Sequence, residues 1–248
     1  MKKILITGYT GFLGTNLTDE LRSVSENYEV YGINSSTPII KIEDYAKDCD
    51  FVFNFAAVHR PQRTEEFDQI NAQLFSYVIE CLENNKNNCP VLYTSSIQAN
   101  DDSDYGHSKV HGEDILKKHT EKCGSRGIVY RLTNTFGPHA RPNGHSVVAT
   151  FCNNIAKGLP ITISDPGHIM HLQYVGDVIA DSMKRLNECG EGMYEFHEIP
   201  SQYIYDVSLQ EIADCLYAFE NALNRNKTPV CKTEFEKKLL TTYIYYRE

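Results

Sequence analysis

Lys2-Lys-Ile-Leu-Ile-Thr7-Gly8-Tyr-Thr-Gly11-Phe12-Leu13-Gly14 opens the chain. The apolar run predicts a strand over Lys2 to Thr7, and the glycines predict a tight turn into a helix reaching about Arg22. Glycines at this spacing let backbone approach a pyrophosphate closely. The helix start adds unpaired N–H groups and the positive end of its dipole. A plain tight turn is the alternative, and the position after a strand and before a helix weighs against it. Gly8, Gly11, Phe12, Leu13 and Gly14 are therefore candidates for binding a dinucleotide.

The pattern continues outward from that turn. Tyr28 to Ile33 reads as a second strand, followed by Asn34-Ser35-Ser36-Thr37. Dinucleotide folds that prefer NAD place an acid here for the ribose hydroxyls. Without one, a ribose 2′-phosphate meets no repulsion, and Asn34, Ser35 and Ser36 become cofactor candidates. NADP(H) is favoured over NAD(H), with no arginine present to clamp the phosphate. Ile42 to Lys47 predicts a short helix and Asp50 to Phe55 a buried strand. At its end Phe55, Ala56 and Ala57 let a flat cofactor pass. His59 and Arg60 follow on a loop at the same edge, as contacts to a phosphate or sugar or as ordinary polar loop residues. A long amphipathic helix is expected over Thr64 to Glu83, then a strand over Pro90 to Thr94 that delivers Ser95 and Ser96.

Tyr105-Gly-His-Ser-Lys109 follows on a helix expected to reach Lys118. A tyrosine four residues before a lysine shares one helix face with it. A free phenol titrates near ~10. An adjacent ammonium favours the phenolate, which is expected to make Tyr105 a usable acid/base. Ser96 is placed to hold a substrate oxygen. A partly buried tyrosine with a solvated lysine is the alternative. Ile128 to Leu132 completes the alternation of strands and helices, which argues for an α/β, Rossmann-like doubly wound parallel sheet.

After Arg131 the pattern changes. Asn134 to Pro138 reads as a turn, Ser146 to Ala156 as a helix and Ile161 to Ile163 as a short strand. His171 to Tyr174 reads as a strand, and a helix follows Asp177. Gly192 to Phe196 reads as a strand, and Val207 to Asn224 as a helix capped by Asp206. A Rossmann core over 1–133 and a small C-terminal substrate-binding lobe over 134–248, with interleaved core elements, form a single unit of 248 residues.

Composition narrows the partners. The formal charge is −9, and no dense Lys/Arg cluster stands out, which argues against nucleic acid and anionic membrane. No apolar run approaches the ~20 residues of a membrane span. Met1-Lys-Lys leads into too short an apolar run for a signal peptide, so a cytoplasmic chain is expected. Eight cysteines include no C-x-x-C pair, which points to free thiols rather than a zinc site. The nine histidines are dispersed, and no metal is expected.

Thr7-Gly-x-x-Gly-x-x-Gly14, Ala56-Ala57, Asn71, Ser95-Ser96, Tyr105-x-x-x-Lys109, Arg131-x-x-Asn134 and Tyr174-Val-Gly-Asp177 together resemble the extended short-chain dehydrogenase/reductase family (NAD-dependent epimerases and dehydratases). More narrowly, Ser95-Ser-Ile-Gln-Ala99, Tyr105 to Glu113, Pro142 to Cys152 and Phe235 to Tyr243 are similar to the reductase domain of bacterial capsular-polysaccharide enzymes. Those enzymes reduce the C4 ketone of a UDP-4-keto-6-deoxy-N-acetylhexosamine with NADPH, and a cupin domain for a C3 epimerisation usually follows. This chain ends at Glu248, where the cupin would begin, so the epimerisation is not carried over.

The resemblance implies Ser96, Tyr105 and Lys109 as the catalytic set, with Lys109 also on the cofactor ribose. It implies Asn71 and Thr94 as further cofactor contacts, and Asn134, Asn143, Ser146 and Val147 as substrate contacts beside His59, Arg60 and Ser96. A UDP-sugar substrate and a homodimer through the helix after Asn71 and the helix of Tyr105 are implied too. Three features depart from the pattern. The Ser96–Tyr105 spacing is shorter than in many epimerases. The segment before Asp50 is compressed, leaving Asp44 as a guess for the adenine-contacting acid. His145 stands where the capsular relatives tend to have asparagine. An NAD-dependent epimerase of the same fold is one alternative, and a non-catalytic NADP-binding regulator, which would need no Tyr-Lys pair, is another. Dehydration is disfavoured because Ile97-Gln98 replaces the acid pair that usually follows the catalytic hydroxyl.

Overall fold

A computed structural model describes residues 1–24, 27–57, 72–144, 146–188, 193–198 and 203–248. Its strands and helices alternate from the N-terminus. They run β1 (Lys2–Thr7), α1 (Phe12–Ser23), β2 (Tyr28–Ile33), α2 (Ile39–Ala46), β3 (Phe51–Asn54), α3 (Leu74–Asn84), β4 (Val91–Ser96), α4 (Asp104–Cys123) and β5 (Gly127–Leu132). The second half adds β6 (Asn134–Phe136), α5 (Val147–Ala156), β7 (Ile169–Tyr174), α6 (Val175–Asn187), β8 (Tyr194–Glu198), β9 (Ile204–Ser208), α7 (Leu209–Leu223) and α8 (Glu234–Arg247).

Two compact units result. The first comprises Met1–Leu132 and Asp181–Ile199, the second Thr133–Ala180 and Pro200–Glu248. In the first, six parallel strands pair in the order β2-β1-β3-β4-β5-β8. The order turns back at β1, with β2 on one side and β3 on the other, so the carboxyl ends of β1 and β3 flank the crevice where such sheets take ligands. Strands covered on both faces read as continuous apolar runs. Ile4, Leu5, Ile6, Phe51, Val52 and Phe53 are accordingly all buried. One core cluster joins Leu5, Val52, Val91 and Val129 of the sheet to Phe75, Val78 and Leu82 of α3 and Leu116 of α4.

The second unit has its own core. Phe136, Phe151, Leu172, Leu216, Phe235 and Tyr243 pack together there, beneath a sheet ordered β6-β7-β9. Four expectations change in this unit. Asn134–Phe136, expected to turn, is a strand because it pairs in parallel with Leu172–Tyr174, a non-local contact that outranks local turn preference. Ile161 and Ile163, expected in a strand, lie in no regular element and pack sideways onto the core.

The helix expected from Val207 with Asp206 as its cap is strand β9 followed by α7. Ser208 caps α7 in a capping box with Glu211, the S-x-x-E arrangement, and Asp206 instead meets His171 Nδ1 at 2.6 Å. Helix α8, missed in the sequence, opens on a second box from Thr233 and Glu236. Of the helix expected over Thr64 to Glu83, only the part from Ala72 onward falls among the described residues. Among those residues no helix is long and apolar enough to cross a membrane.

Removing either cap hydroxyl leaves helix N–H groups unpaired. Ser208→Ala and Thr233→Ala should each cost about 1 kcal/mol, read as a lower urea midpoint at unchanged m-value. Asp206→Ala should move the midpoint by less than half that amount.

Candidate active site

Three strand ends in the first unit are tied by side chains. Thr7 Oγ1 donates to Asn54 Oδ1 at 2.8 Å and accepts from the Ala56 N–H at 3.1 Å. Thr94 Oγ1 donates to the Asn54 carbonyl at 3.0 Å. All three side chains are buried, and pairing them avoids the cost of orphaned polar groups. This cross-tie through Thr7 and Asn54 was not anticipated. Its signal in the sequence is a polar residue closing each of two apolar strands.

Beside it lies the glycine turn. Gly8 has φ +67°, and a Cβ there would sit 2.8 Å from the Ala56 nitrogen. A Cβ on Gly14 would sit 2.3 Å from the Gly8 carbonyl oxygen. The turn can close this tightly only without side chains. Gly11 caps α1 without a side-chain hydrogen bond, and no acid stands in the first turn. The helix therefore keeps donors and positive dipole for an anion, and Phe12 and Leu13 lead its first turn. These residues fit the pyrophosphate of a dinucleotide. After β2, Asn34 Oδ1 accepts from the Ser36 N–H at 2.9 Å, the Ser36 hydroxyl at 2.7 Å and the Thr37 hydroxyl at 3.2 Å. Ser35 and Ser36 are exposed. Asp44 is ion-paired with Lys47 at 2.8 Å.

Ser96 ends β4, and a short 3-10 turn, Ile97–Asn100, leads from it towards α4. Ser103 caps α4 by accepting from the Gly106 N–H at 3.0 Å, which sets Tyr105 in the first turn. The Ser96 hydroxyl accepts from the Gln98 N–H at 3.2 Å and hydrogen-bonds the Tyr105 phenol. Lys109 is 2 % exposed. Its Nζ donates to the Thr94 carbonyl at 3.0 Å, 5.6 Å from the centre of the Tyr105 ring and 5.3 Å from that of Tyr93. The structure thus brings Ser96, Tyr105, Lys109 and Thr94 together.

The electrostatics correct one expectation. Burial raises the Tyr105 phenol above its ordinary pKa, and the Ser96 hydroxyl brings it only partway back. Lys109 does not depress it, because its own charge is lost before so high a phenol titrates. Burial pushes Lys109 itself down to about 8, against an opposing pull from Glu113. Glu113 and Arg131, which belong only to the wider motif in the sequence, meet through Arg131 Nε and Nη2 at 2.8 and 2.7 Å. The signal for Glu113 was its place one helical turn beyond Lys109.

The other substrate candidates fall in the second unit. Asn134 opens β6 and is exposed. Asn143 has φ +56°, is exposed, and donates its N–H to Thr150 Oγ1 at 2.9 Å. The Ser146 hydroxyl caps α5 by accepting from the Ala149 N–H at 3.2 Å, and Val147 is the first residue of that helix. His59, Arg60, Asn71 and His145 lie outside the described residues. Among the described residues one gathering around a histidine is not visible in the sequence. Glu83, His119 and Cys123 offer ligand atoms within 4.8 Å of one another, with the Lys122 ammonium also on the Glu83 carboxylate.

The chain is similar to several known proteins. Over 244 residues the chain is 34% identical to the UDP-2-acetamido-2,6-beta-L-arabino-hexul-4-ose reductase of Pseudomonas aeruginosa, covering 98% of this chain and 64% of that protein. It superposes on the capsular polysaccharide assembling protein CapF of Staphylococcus aureus with a TM-score of 0.85 at 32% identity, over 98% of this chain and 65% of that one. The chain therefore spans just under two thirds of the length of both. The UDP-glucuronic acid 4-epimerase of Bacillus cereus, solved with NAD, shares the fold at a TM-score of 0.79 and 18% identity, over 99% of this chain and 96% of that one. Residues 4–191 match the NAD dependent epimerase/dehydratase family, and with the glycine turn and the Ser96, Tyr105 and Lys109 set in place, the chain belongs to that family.

Proposed function

We propose that this chain reduces the C4 ketone of a UDP-4-keto-6-deoxy-N-acetylhexosamine, in the synthesis of capsule or surface polysaccharide precursors, with NADPH in preference to NADH. The observation that carries this reading is the placement of the Tyr105 phenol against the Ser96 hydroxyl and beside the buried Lys109. A ketone reduction needs an acid at the carbonyl oxygen, and a phenol, here raised further by burial, is protonated at neutral pH. Epimerisation starts instead from a base that removes a hydroxyl proton. The 34% identity to a protein named as a 4-ulose reductase supports the same direction.

A bound nicotinamide would supply the hydride to the carbonyl carbon. Tyr105 gives its proton to the developing oxyanion, and the Ser96 hydroxyl hydrogen-bonds the same oxygen, so both act where charge appears. Lys109 holds the strand end through Thr94 and offers positive charge nearby. Gly8, Gly11 and Gly14 would hold the cofactor's pyrophosphate. The preference for NADPH rests on the absence of an acid after β2, since the Ser36 and Thr37 hydroxyls are engaged within their own turn. In this reading the second unit is the substrate lobe, and Asn134, Asn143, Ser146 and Val147 are its candidate contacts. A homodimer through α3 and α4 accompanies it, with a polar interface, since the exposed positions of α4 include His107, His111, Asp114 and Lys117.

Oxidation of NADPH and of NADH is followed with the UDP-4-keto-6-deoxy sugar as acceptor. Tyr105→Phe should lose roughly 10²–10⁴-fold in turnover while still binding cofactor in a fluorescence titration. Unchanged turnover removes Tyr105 from the role, and cofactor that survives purification with no net oxidation moves the reading to epimerisation. The free enzyme works with Lys109 cationic, so kcat/KM should be level below pH 7 and fall as pH rises through about 8. A level profile to pH 9.5 contradicts that requirement. Asn34→Asp keeps the acceptor that organises the turn and adds a charge. It should lower kcat/KM for NADPH by about tenfold or more, from like-charge repulsion, with little change for NADH.

A further inference from the structure

Tyr105, Lys109 and Glu113 follow one another at four-residue intervals, so their side chains line one face of α4. Glu113 is 6 % exposed, and its carboxylate is fully engaged. Oε1 accepts from the Ser95 hydroxyl and from Arg131 Nε at 2.8 Å, and Oε2 accepts from Arg131 Nη2 at 2.7 Å. Arg131 is fixed in turn. Its Nη1 donates to Asn100 Oδ1 at 2.6 Å, and its guanidinium lies 4.6 Å from the centre of the Phe196 ring.

The strand residue that this carboxylate grips stands between two site contacts. Ser95 follows Thr94, whose carbonyl accepts from Lys109, and precedes Ser96, whose hydroxyl meets Tyr105. The surroundings of Lys109 are sparse in charge. From β4 it meets the Thr94 carbonyl and the Tyr93 ring, and from α4 the Tyr105 ring. From β8, Tyr194 donates its hydroxyl to the Glu113 backbone carbonyl at 3.4 Å. From β5, Arg131 faces Glu113. The Glu113 carboxylate favours the Lys109 ammonium, against the effect of burial. A buried ion pair is a poor source of stability, because apolar side chains of similar volume often serve as well. Its place here therefore points to another use.

We propose that Glu113 is a positioning residue of the Ser96, Tyr105 and Lys109 site: locked by Arg131 and Ser95, it holds strand residues 94–96 against α4 and supplies the counter-charge that keeps Lys109 cationic. The functional consequence rests on the reductase reading, whereas the effect on Lys109 does not.

The test reads Lys109 directly. The protein is labelled with [¹³Cε]lysine, the Lys109 signal is assigned by its loss in Lys109→Met, and its shift is followed against pH by NMR, without substrate. Removing the Glu113 charge disfavours the ammonium. Glu113→Gln should therefore lower the Lys109 midpoint by about one pH unit, the effect of an opposite charge at close range. The basic limb of kcat/KM should move down by the same amount.

A midpoint unchanged in folded Glu113→Gln overturns the proposal, even with a lower melting temperature, because a purely structural role would give that result. If Glu113→Gln does not fold, the double variant Glu113→Gln/Arg131→Gln leaves no uncompensated charge. Its midpoint should also fall, because the Glu113 pull on Lys109 is removed, though by less than in Glu113→Gln because the opposing Arg131 cation goes with it, and an unmoved midpoint there overturns the proposal equally. A wild type that turns over no substrate while its Lys109 midpoint responds to Glu113 would remove the reductase reading and leave this one standing.

Discussion

The bond from the Lys109 ammonium to the Thr94 carbonyl is the constraint on which the site depends. A lysine this buried costs several kcal/mol of desolvation unless its charge is met. Here it is met by a main-chain carbonyl at the end of a central strand, by two aromatic faces and, one helical turn on, by Glu113. That bond fixes α4 against β4 in both rotation and translation. Tyr105 lies one turn before Lys109, so fixing the lysine also fixes the phenol beside Ser96. A surface lysine at the same spacing would not, because its side chain would be free to sample many rotamers.

The same burial sets the chemistry. Withdrawal from water disfavours whichever form is charged. It therefore moves the two groups in opposite directions, the phenol up and the ammonium down to about 8. The result at neutral pH is a protonated phenol beside a cation that is lost just above neutrality. A protonated phenol beside a cation can give its proton to an oxygen on which negative charge is growing. The Thr7–Asn54–Thr94 cross-tie extends the rigidity to the glycine turn. The strand ends of β1, β3 and β4 are joined by side chains as well as by the ladder, in the place where the sheet order turns back.

The features legible in the sequence are those carried by short stretches. The glycine turn, the apolar strands of the first unit and the Tyr105–Lys109 spacing each declare themselves within a dozen residues. The rest needed distant partners. Asn134–Phe136 reads as a turn because its strand partner lies near residue 172. Ile161 and Ile163 alternate like a strand, yet their apolar side chains answer to a core formed by α5, α7 and α8. Asp206 and Ser208 are both good caps, and only the reach of Glu211 back to Ser208 decides between them. The direction of the Tyr105 shift was misread for a related reason. Spacing along a helix places the lysine near the tyrosine, but burial by other elements decides at what pH each group holds its charge.

The interleaving of the units follows from the sheet itself. β5 would be an edge strand if the first unit ended at Leu132, with unpaired N–H and C=O groups along a buried apolar strand, an arrangement prone to pairing with other chains. The chain avoids this by returning at Asp181–Ile199, which brings β8 into register with Gly127–Arg131. The return also carries Glu195 to the buried Arg126, at 2.6 Å, and Phe196 to the guanidinium of Arg131. The aromatic face over Arg131 and one half of the Arg126 ion pair therefore come from a segment that follows the second unit's first portion in sequence. A contiguous N-terminal piece would hold Ser96, Tyr105 and Lys109 but not the strand that covers the edge behind Glu113. The site is local in sequence, and its support is not.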